Sequence, residues 1–337
     1  MRYFIALIFA AWGSIALAQT WEDHQVFNAR PGVDSLRIIS STDTALFAPI
    51  IEGFVAQNPD VAVEYLVTGT ANLDQQFRAT PDAFDIVISS AMDLQLKLSN
   101  DGFAKTLPDV VHPAWASWRQ SLFAFTREPA AIVINRAAFE GQPTPQSRQD
   151  LIKALRARPA TFQNRVGTYD VRQSGLGYFF ATQDARTSET FWRLMEVFGG
   201  LDIKLYCCSG AMIDDLIEGR LAVAYNVLGS YAVARSNSED SIQIIQPNDF
   251  QTTMMRTALV SKTTRDLSAA TAFITYLTTV QTGAAGNQGP FALPPITTAE
   301  LTSEPARISL DPALLTFLDS LKRKKFLSEW ENAVIQE

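Results

Sequence analysis

Histidine and cysteine are nearly missing from this sequence of 337 residues, which has two of each: His24, His112, Cys207 and Cys208. Two adjacent cysteines cannot build a disulfide framework or a four-thiolate zinc site. Two histidines supply little imidazole for acid–base or metal chemistry. Basic charge is also short: 28 Lys and Arg stand against 35 Asp and Glu, a net −7. The cationic excess that neutralises phosphates in a nucleic-acid binder is therefore absent, and nucleic acid is not an expected partner. After the first twenty positions no uninterrupted apolar stretch reaches the roughly 20 residues that span a bilayer. There is no G-x-S-x-G elbow, no H-E-x-x-H and no Walker A loop. A pair of carboxylates would suffice for glycoside hydrolysis, but no pair is singled out by spacing. Asp43, Asp85, Asp93 and Asp170 read as helix caps or turn anchors. The chain is not expected to be an enzyme, and no cofactor or metal is implied.

What is present is enough apolar material, 47% of residues against 19% charged, for a packed core, and enough length for two domains of about 100–200 residues each. The start of the chain sets the compartment. Arg2, an apolar run from Tyr3 to Trp12, Gly13, Ser14 and then Ala16-Leu17-Ala18 before Gln19 have the order of a secretory signal peptide over residues 1–18. The mature chain is expected to begin near Gln19 and to work in the periplasm. Residues 19–34 have no periodicity and read as a loose arm.

The folded part opens with a βαβ unit. Leu36-Arg37-Ile38-Ile39 is strand-like, Ser40-Ser41-Thr42-Asp43-Thr44 is a polar turn, and Phe47, Ile50, Ile51 and Phe54 share one helical face before Asn58-Pro59. Val61 to Val67 is the next strand. The hydroxyl-rich turn recurs where Phe84-Asp85-Ile86-Val87-Ile88 meets Ser89-Ser90-Ala91-Met92-Asp93, and again where Gly167-Thr168-Tyr169-Asp170 runs through Arg172-Gln173-Ser174-Gly175 into a helix. Strands alternating with helices predict α/β layers with mostly parallel sheets. In such sheets ligands gather at the carboxyl ends of strands, where helix N-termini offer N–H groups and a positive dipole end to an anion. The same Ser and Thr residues also serve as ordinary N-caps, and both roles stay open. Further along, the strand-like run Phe123 to Asn135 is interrupted by Pro129, which fits an edge or hinge strand. Leu221 to Asn226 and Thr257 to Val260 are later strands, and helices are expected near 148–156, 187–198, 211–218 and 267–280.

These segments carry a resemblance. The Ser-Thr-Asp-Thr turn, Phe84 to Ser90, Glu128 to Asn135, Gly167 to Gly175 and Gly219 to Ala232 resemble extracellular solute-binding proteins of the ferric-ion and organic-anion type, over roughly residues 35–300. More narrowly, Ile88 to Gln95 and Tyr225 to Ala232 resemble a branch related to the phosphoglycerate transport regulatory protein and associated with two-component sensor kinases. The resemblance implies an α/β fold of two lobes with a hinge and an interlobe cleft, working as a monomer. Lobe one would span 35–127 plus 258–300 and lobe two 128–257, with a C-terminal helical segment at 301–337 packing over the cleft's outer side. It implies capture of a small organic anion, a carboxylate or phosphate ester, for an ABC permease, a sensor histidine kinase or both. A purely regulatory ligand sensor is the alternative. The implied ligand contacts are Thr42, Asp43, Ser89 and Ser90 in one lobe and Tyr169, Arg172, Ser174, Gly175, Asn226, Ser230 and Tyr231 in the other. Among these, Ser90 and Ser174 lie at helix starts in opposite lobes, so closure would bring both onto one anion with Thr42 and Tyr231. Arg172 also reads as a solvated turn residue, and Arg127 and Arg256 flank the hinge strands with the same ambiguity. Ferric members place adjacent tyrosines where this chain has Leu228 and Gly229, so iron is not expected. Cys207 and Cys208 are expected as two thiols or a labile bridge, because consecutive Cα atoms sit about 3.8 Å apart, closer than the usual disulfide span.

Overall fold

The computed structural model describes residues 21–31, 34–236, 241–281, 293–296 and 310–336; the signal-peptide assignment at 1–18 lies outside them. In chain order the strands are β1 (Asp23–Phe27), β2 (Ser35–Ser40), β3 (Ala62–Val67), β4 (Ile86–Ser89), β5 (Ser117–Trp118), β6 (Leu122–Ala124), β7 (Glu128–Asn135), β8 (Val166–Tyr169), β9 (Lys204–Tyr206), β10 (Val223–Leu228), β11 (Ile242–Ile245), β12 (Thr253–Met254) and β13 (Thr257–Val260). The helices are α1 (Thr44–Gln57), α2 (Thr70–Ala79), α3 (Met92–Asn100), α4 (Arg148–Ala157), α5 (Pro159–Phe162), α6 (Gly175–Thr187), α7 (Thr190–Gly199), α8 (Ser209–Ile217), α9 (Gly229–Ser236), α10 (Leu267–Gln281) and α11 (Ser320–Val334).

Two mixed sheets form, ordered β1-β3-β2-β4-β13-β6-β5 and β11-β7-β10-β8-β9. In the first, β2 lies parallel to both β3 and β4. Its strands β2, β3 and β4 are largely buried on both faces, so successive side chains feed opposite layers. Ile38, Ile86 and Ile88 join Phe47, Ile50 and Phe54 of α1 and Phe273 and Leu277 of α10. Ile39 and Val87 join Leu73 and Phe77 of α2 and Met92 and Leu96 of α3. Each such apolar side chain taken fully out of water contributes about 1.5–3 kcal/mol. The second sheet repeats the plan: Ile132, Ile134, Val223 and Tyr225 face Leu151 and Leu194 of α4 and α7, while Ala131, Val133 and Ala224 face Met212 and Leu216 of α8.

Segments 125–128 and 253–257 each pass between the sheets, and they are tied by Phe125 N–H donating to the Arg256 carbonyl at 2.9 Å. The strand containing Pro129 is not at an edge. β7 lies between β11 and β10, but Pro129 itself is opposite Thr253 of β12 in the crossing, before β10 begins to pair at Ala130. The missing N–H therefore breaks no ladder on that side. A second correction concerns the expected loose arm: Asp23–Phe27 pair antiparallel with β3, with Phe27 buried and the polar residues before it exposed. The open flank of β3 accepts a strand whose sequence carries almost no apolar pattern. At the other end, a 3₁₀ turn at Pro312–Leu318 packs on α3, and α11 packs on α7, so the C-terminal segment touches helices of both sheets. Tyr178 Oη donates to the Phe317 carbonyl there at 2.6 Å.

Candidate functional site

Parallel strands connected by helices put every strand-to-helix turn at the same end of a sheet. β2, β3 and β4 of the first sheet lead into α1, α2 and α3, and β8, β9 and β10 of the second lead into α6, α8 and α9. The two sets of turns face each other across a cavity of about 40 Å³. One water needs about 10–15 Å³ of such space, so this closed arrangement has room for about three. Glu22, Ser41, Asp43, Thr68, Thr70 and Ser90 form one wall; Tyr169, Ser174, Cys207, Cys208, Ser209 and Tyr231 form the other.

Two contacts hold the walls together. Tyr231 Oη donates to Asp43 Oδ1 at 2.9 Å while accepting the Asp43 N–H at 3.2 Å. Leu176 N–H donates to Thr70 Oγ1 at 3.1 Å. Burial pushes the Tyr231 phenol well above its usual value, Arg256 opposes that, and Asp43 adds to it. The phenol therefore stays protonated and serves as a donor.

Several polar groups on the walls are not fully satisfied. Thr68 is 2% exposed, yet its hydroxyl has no hydrogen-bond partner among the described residues. Ser174, 4% exposed, accepts from Gly177 N–H at 3.1 Å and so caps α6, but nothing among the described residues accepts its own proton. The Ser90 hydroxyl has only a long contact of 3.5 Å to Ser41 Oγ. Asp43 precedes α1 without capping it through its side chain. Burial raises the Glu22 carboxyl, the Gly69 N–H opposes the rise, and the charge of Asp43 adds to it.

Of the residues expected to contact a ligand, Asp43, Ser90, Tyr169, Ser174 and Tyr231 meet at this cavity. The others are engaged elsewhere. Thr42 Oγ1 accepts from Arg256 Nη1 at 2.6 Å and is fully buried behind the wall. Ser89 Oγ accepts the Ala91 N–H at 3.1 Å, fixing the turn into α3. Arg172 holds Asp170 with two hydrogen bonds, at 2.8 and 2.7 Å, and its Nη1 lies 3.7 Å from Glu331 of α11, so its guanidinium is committed to protein carboxylates. Gly175 is close to the opposite lobe: a Cβ there would meet Leu94 Cδ1 at 2.9 Å and Thr70 Oγ1 at 3.0 Å. Gly177 likewise makes room for Tyr169. Both glycines permit close packing around the start of α6. Asn226 has φ of 61° at a register break in β10 and donates to Asp184 Oδ2 at 2.9 Å. Asn tolerates this left-handed bulge better than most residues. Ser230 donates to Glu128.

Glu128 and Arg256 are the centre of a buried hinge network. Arg256 Nε and Nη2 meet the two carboxylate oxygens at 2.9 and 3.0 Å, and Thr126 Oγ1 donates to Oε1 at 2.7 Å. Burial pushes the Glu128 carboxyl up, but Arg256 with Ser230 and Thr126 outweighs it and holds it below the usual carboxylate value. Cys207 and Cys208, expected as thiols or a labile bridge, are joined by a disulfide at the start of α8. The wall residues that sequence reasoning missed had a signal in part: Thr68-Gly69-Thr70 repeats the hydroxyl-rich strand-to-helix turn. Ser209 and Cys207 follow a strand of only three residues, and Glu22 belongs to the supposed arm.

Comparison with known proteins follows this geometry. The model of a family described as bacterial extracellular solute-binding protein matches residues 39–284. The fold resembles the substrate binding protein of an ABC transporter from Agrobacterium tumefaciens, with 28% identity, TM-score 0.84 and coverage of 93% of this chain and 98% of that one. It also resembles the periplasmic binding protein AfuA from Actinobacillus pleuropneumoniae with fructose-6-phosphate bound (15% identity, TM-score 0.68, coverage 90% and 99%). Iron-bound HitA from Pseudomonas aeruginosa is a further structural relative (15% identity, TM-score 0.65, coverage 89% and 99%). At 15% identity the last two likenesses speak for the fold alone. No curated protein matches the sequence.

Proposed function

We propose that this chain, which belongs to the bacterial extracellular solute-binding protein family, captures a small organic anion, a carboxylate or a phosphate ester, in the cleft between its two sheets. It then delivers that anion in the periplasm to the permease of an ATP-driven importer. The Thr68 hydroxyl carries this reading: it is nearly buried, faces the cavity and has no acceptor among the described residues. An acceptor on a ligand would take the proton that this hydroxyl offers to the cavity. The unclaimed Ser174 proton and the convergent helix N-termini support the same ligand chemistry. Asp43 and Tyr231 would close over it.

The two bodies that move are proposed as 35–127 with 258–300, and 128–257. β2 to β6 fall in the first and β7 to β12 in the second, and the two crossing segments are suited to hinge closure of the kind binding proteins use. The chain from Gln19 onward is the form to test. Because the closed cavity holds only about three waters, the lobes must part to admit the ligand; a thermal-shift screen should then show stabilisation by fructose 6-phosphate, citrate or another small anion, rising as RT ln(1 + [L]/Kd) and reaching about 2.7 kcal/mol at a hundredfold excess over Kd. Stabilisation by neutral sugars alone would overturn the reading. So would a ferric charge-transfer band that disappears in Tyr231→Phe. Crosslinking in cells then decides whether the loaded protein meets a permease or a sensor kinase.

A further inference from the structure

The Cys207–Cys208 bridge does not do the usual work of a disulfide. It joins neighbours in the chain, so it closes a loop with no residue inside it and barely restricts the unfolded chain. The stabilisation a disulfide gives grows with the loop it closes, so stability does not account for this one. These are also the only cysteines in the sequence, and opening the bridge leads to no other pairing within the chain. Its place is specific instead. Both cysteines line the cavity between the two walls; Cys207 is exposed and Cys208 half-buried. Cys208 precedes the first turn of α8 without capping it through its side chain. Ser209, next in the chain, ties that helix start to the neighbouring turns by accepting the Leu228 N–H at 3.1 Å and bonding to the Tyr169 hydroxyl. Across the cavity, Asp43 Oδ2 comes within 3.7 Å of where a Cβ on Gly210 would sit, so the start of α8 faces the opposite wall.

Resting on the anion reading above, we infer that this bridge is a redox switch on the ligand site: the oxidised chain takes up the anion, and the chain reduced by a dithiol releases it. In the oxidised form this part of the wall is neutral and leaves the N–H groups at the start of α8 to the ligand. One thiolate of the dithiol attacks the exposed Cys207 sulfur, and Cys208 leaves as a thiolate. The second thiol of the reductant then attacks the mixed disulfide and frees Cys207, so the reductant departs as its own disulfide and two electrons have passed to the two cysteines. Of the two protons released, one stays on Cys207. Helix N-termini lower the pKa of a thiol, so Cys208 keeps its charge and the second proton goes to solvent. That charge competes for the N–H groups of α8 and repels an anion held in a space of about 40 Å³.

Calorimetric titration of the chain from Gln19 onward with citrate and with fructose 6-phosphate tests this, in the oxidised state, after reduction by dithiothreitol and after reoxidation. Iodoacetamide should label both cysteines of the folded protein after reduction and neither before. The anion that binds the oxidised chain should bind the reduced chain at least about tenfold more weakly, the effect of a like charge a few ångströms away. Affinity should return on reoxidation, with the ligand-free melting temperature within a few degrees throughout. Cys207→Ala, which keeps the Cys208 thiol, should bind as weakly as the reduced wild type, and Cys207→Ala with Cys208→Ala should lose the response to dithiothreitol. The wild-type cycle carries the test alone if a variant does not fold. Equal affinity in both redox states, or a bridge that dithiothreitol opens only after unfolding, overturns the switch and leaves the anion reading standing. So does a loss of affinity that comes with loss of the fold. Tight binding by Cys207→Ala, or a response to dithiothreitol that survives in the double variant, overturns the assignment to the Cys208 charge. If neither anion binds the oxidised chain, the anion reading falls and the switch with it.

Discussion

Two sets of charged groups lie a few residues apart at the interlobe cleft, and they are built on opposite terms. Glu128 and Arg256 are fully buried and matched, two hydrogen bonds between them and the remaining capacity taken by Thr126, Ser230 and Thr42. Asp43 and Glu22 border the cavity with like charge and no ion-pair partner among the described residues, beside hydroxyls that lack acceptors. A buried charge whose partners are all protein groups holds the fold. A wall whose donors and acceptors remain available awaits something from outside. Burial and satisfaction both distinguish the two sets: Glu128 and Arg256 are fully buried, while Asp43 is half-buried and Glu22 exposed.

The largest effect should come from breaking the matched set. Arg256→Met leaves Glu128 buried without a counter-charge and should lower stability by about 3–5 kcal/mol, measured by urea unfolding. Replacing both, Arg256→Met with Glu128→Leu, should recover most of that loss, since a buried pair often breaks even against apolar residues. A double variant as unstable as the single one would show that Thr42, Ser230 and Thr126 depend on the charges themselves.

A smaller, mixed effect is expected at Ser174, which both caps α6 and faces the cavity. Ser174→Ala should cost about 1 kcal/mol of stability from the lost cap and about tenfold in anion affinity. A change in stability with affinity intact would reduce Ser174 to a cap and remove it from the site.

A pH-dependent effect contrasts both sets with an isolated carboxyl. Asp93 at the start of α3 has no ion-pair partner among the described residues, and burial pushes its carboxyl up to about 7, with the Leu94 N–H opposing. Because the folded protein holds this proton more tightly than the unfolded chain, whose value is near 3.8, the contribution is full below about pH 4. It is lost as pH rises through about 7. Asp93→Asn should flatten that part of the stability profile and raise stability at pH 8. An unchanged slope between pH 4 and 7 would show that Asp93 is ionised in the fold.

How far these regions can be read from sequence follows from the range of their interactions. The α1 face of Phe47, Ile50, Ile51 and Phe54 is a local periodicity, and the turns at Ser90 and Ser174 announce themselves through hydroxyls at strand ends, so the layers and half of the cavity wall were legible. The bond from Arg256 that holds Thr42 behind the wall comes from 214 residues away, which no local pattern announces. The contact of Asn226 with Asp184 lies at a register break in β10, which strand alternation does not foretell. Arg172 found a carboxylate two residues back, a choice that spacing alone could not separate from an outward-facing ligand contact. β1 was missed because its place is set by the open flank of β3.

The central claim is that the unsatisfied hydroxyls are the ligand's donors. Titrating the Thr68→Val, Ser90→Ala double variant with the tightest-binding anion found for the wild type tests it most directly, because neither hydroxyl has a close side-chain hydrogen bond to lose among the described residues. The account predicts affinity weaker by about a hundredfold, from about tenfold for each hydrogen bond, with the ligand-free melting temperature within a few degrees of the wild type. Unchanged affinity in a variant that folds normally would contradict it.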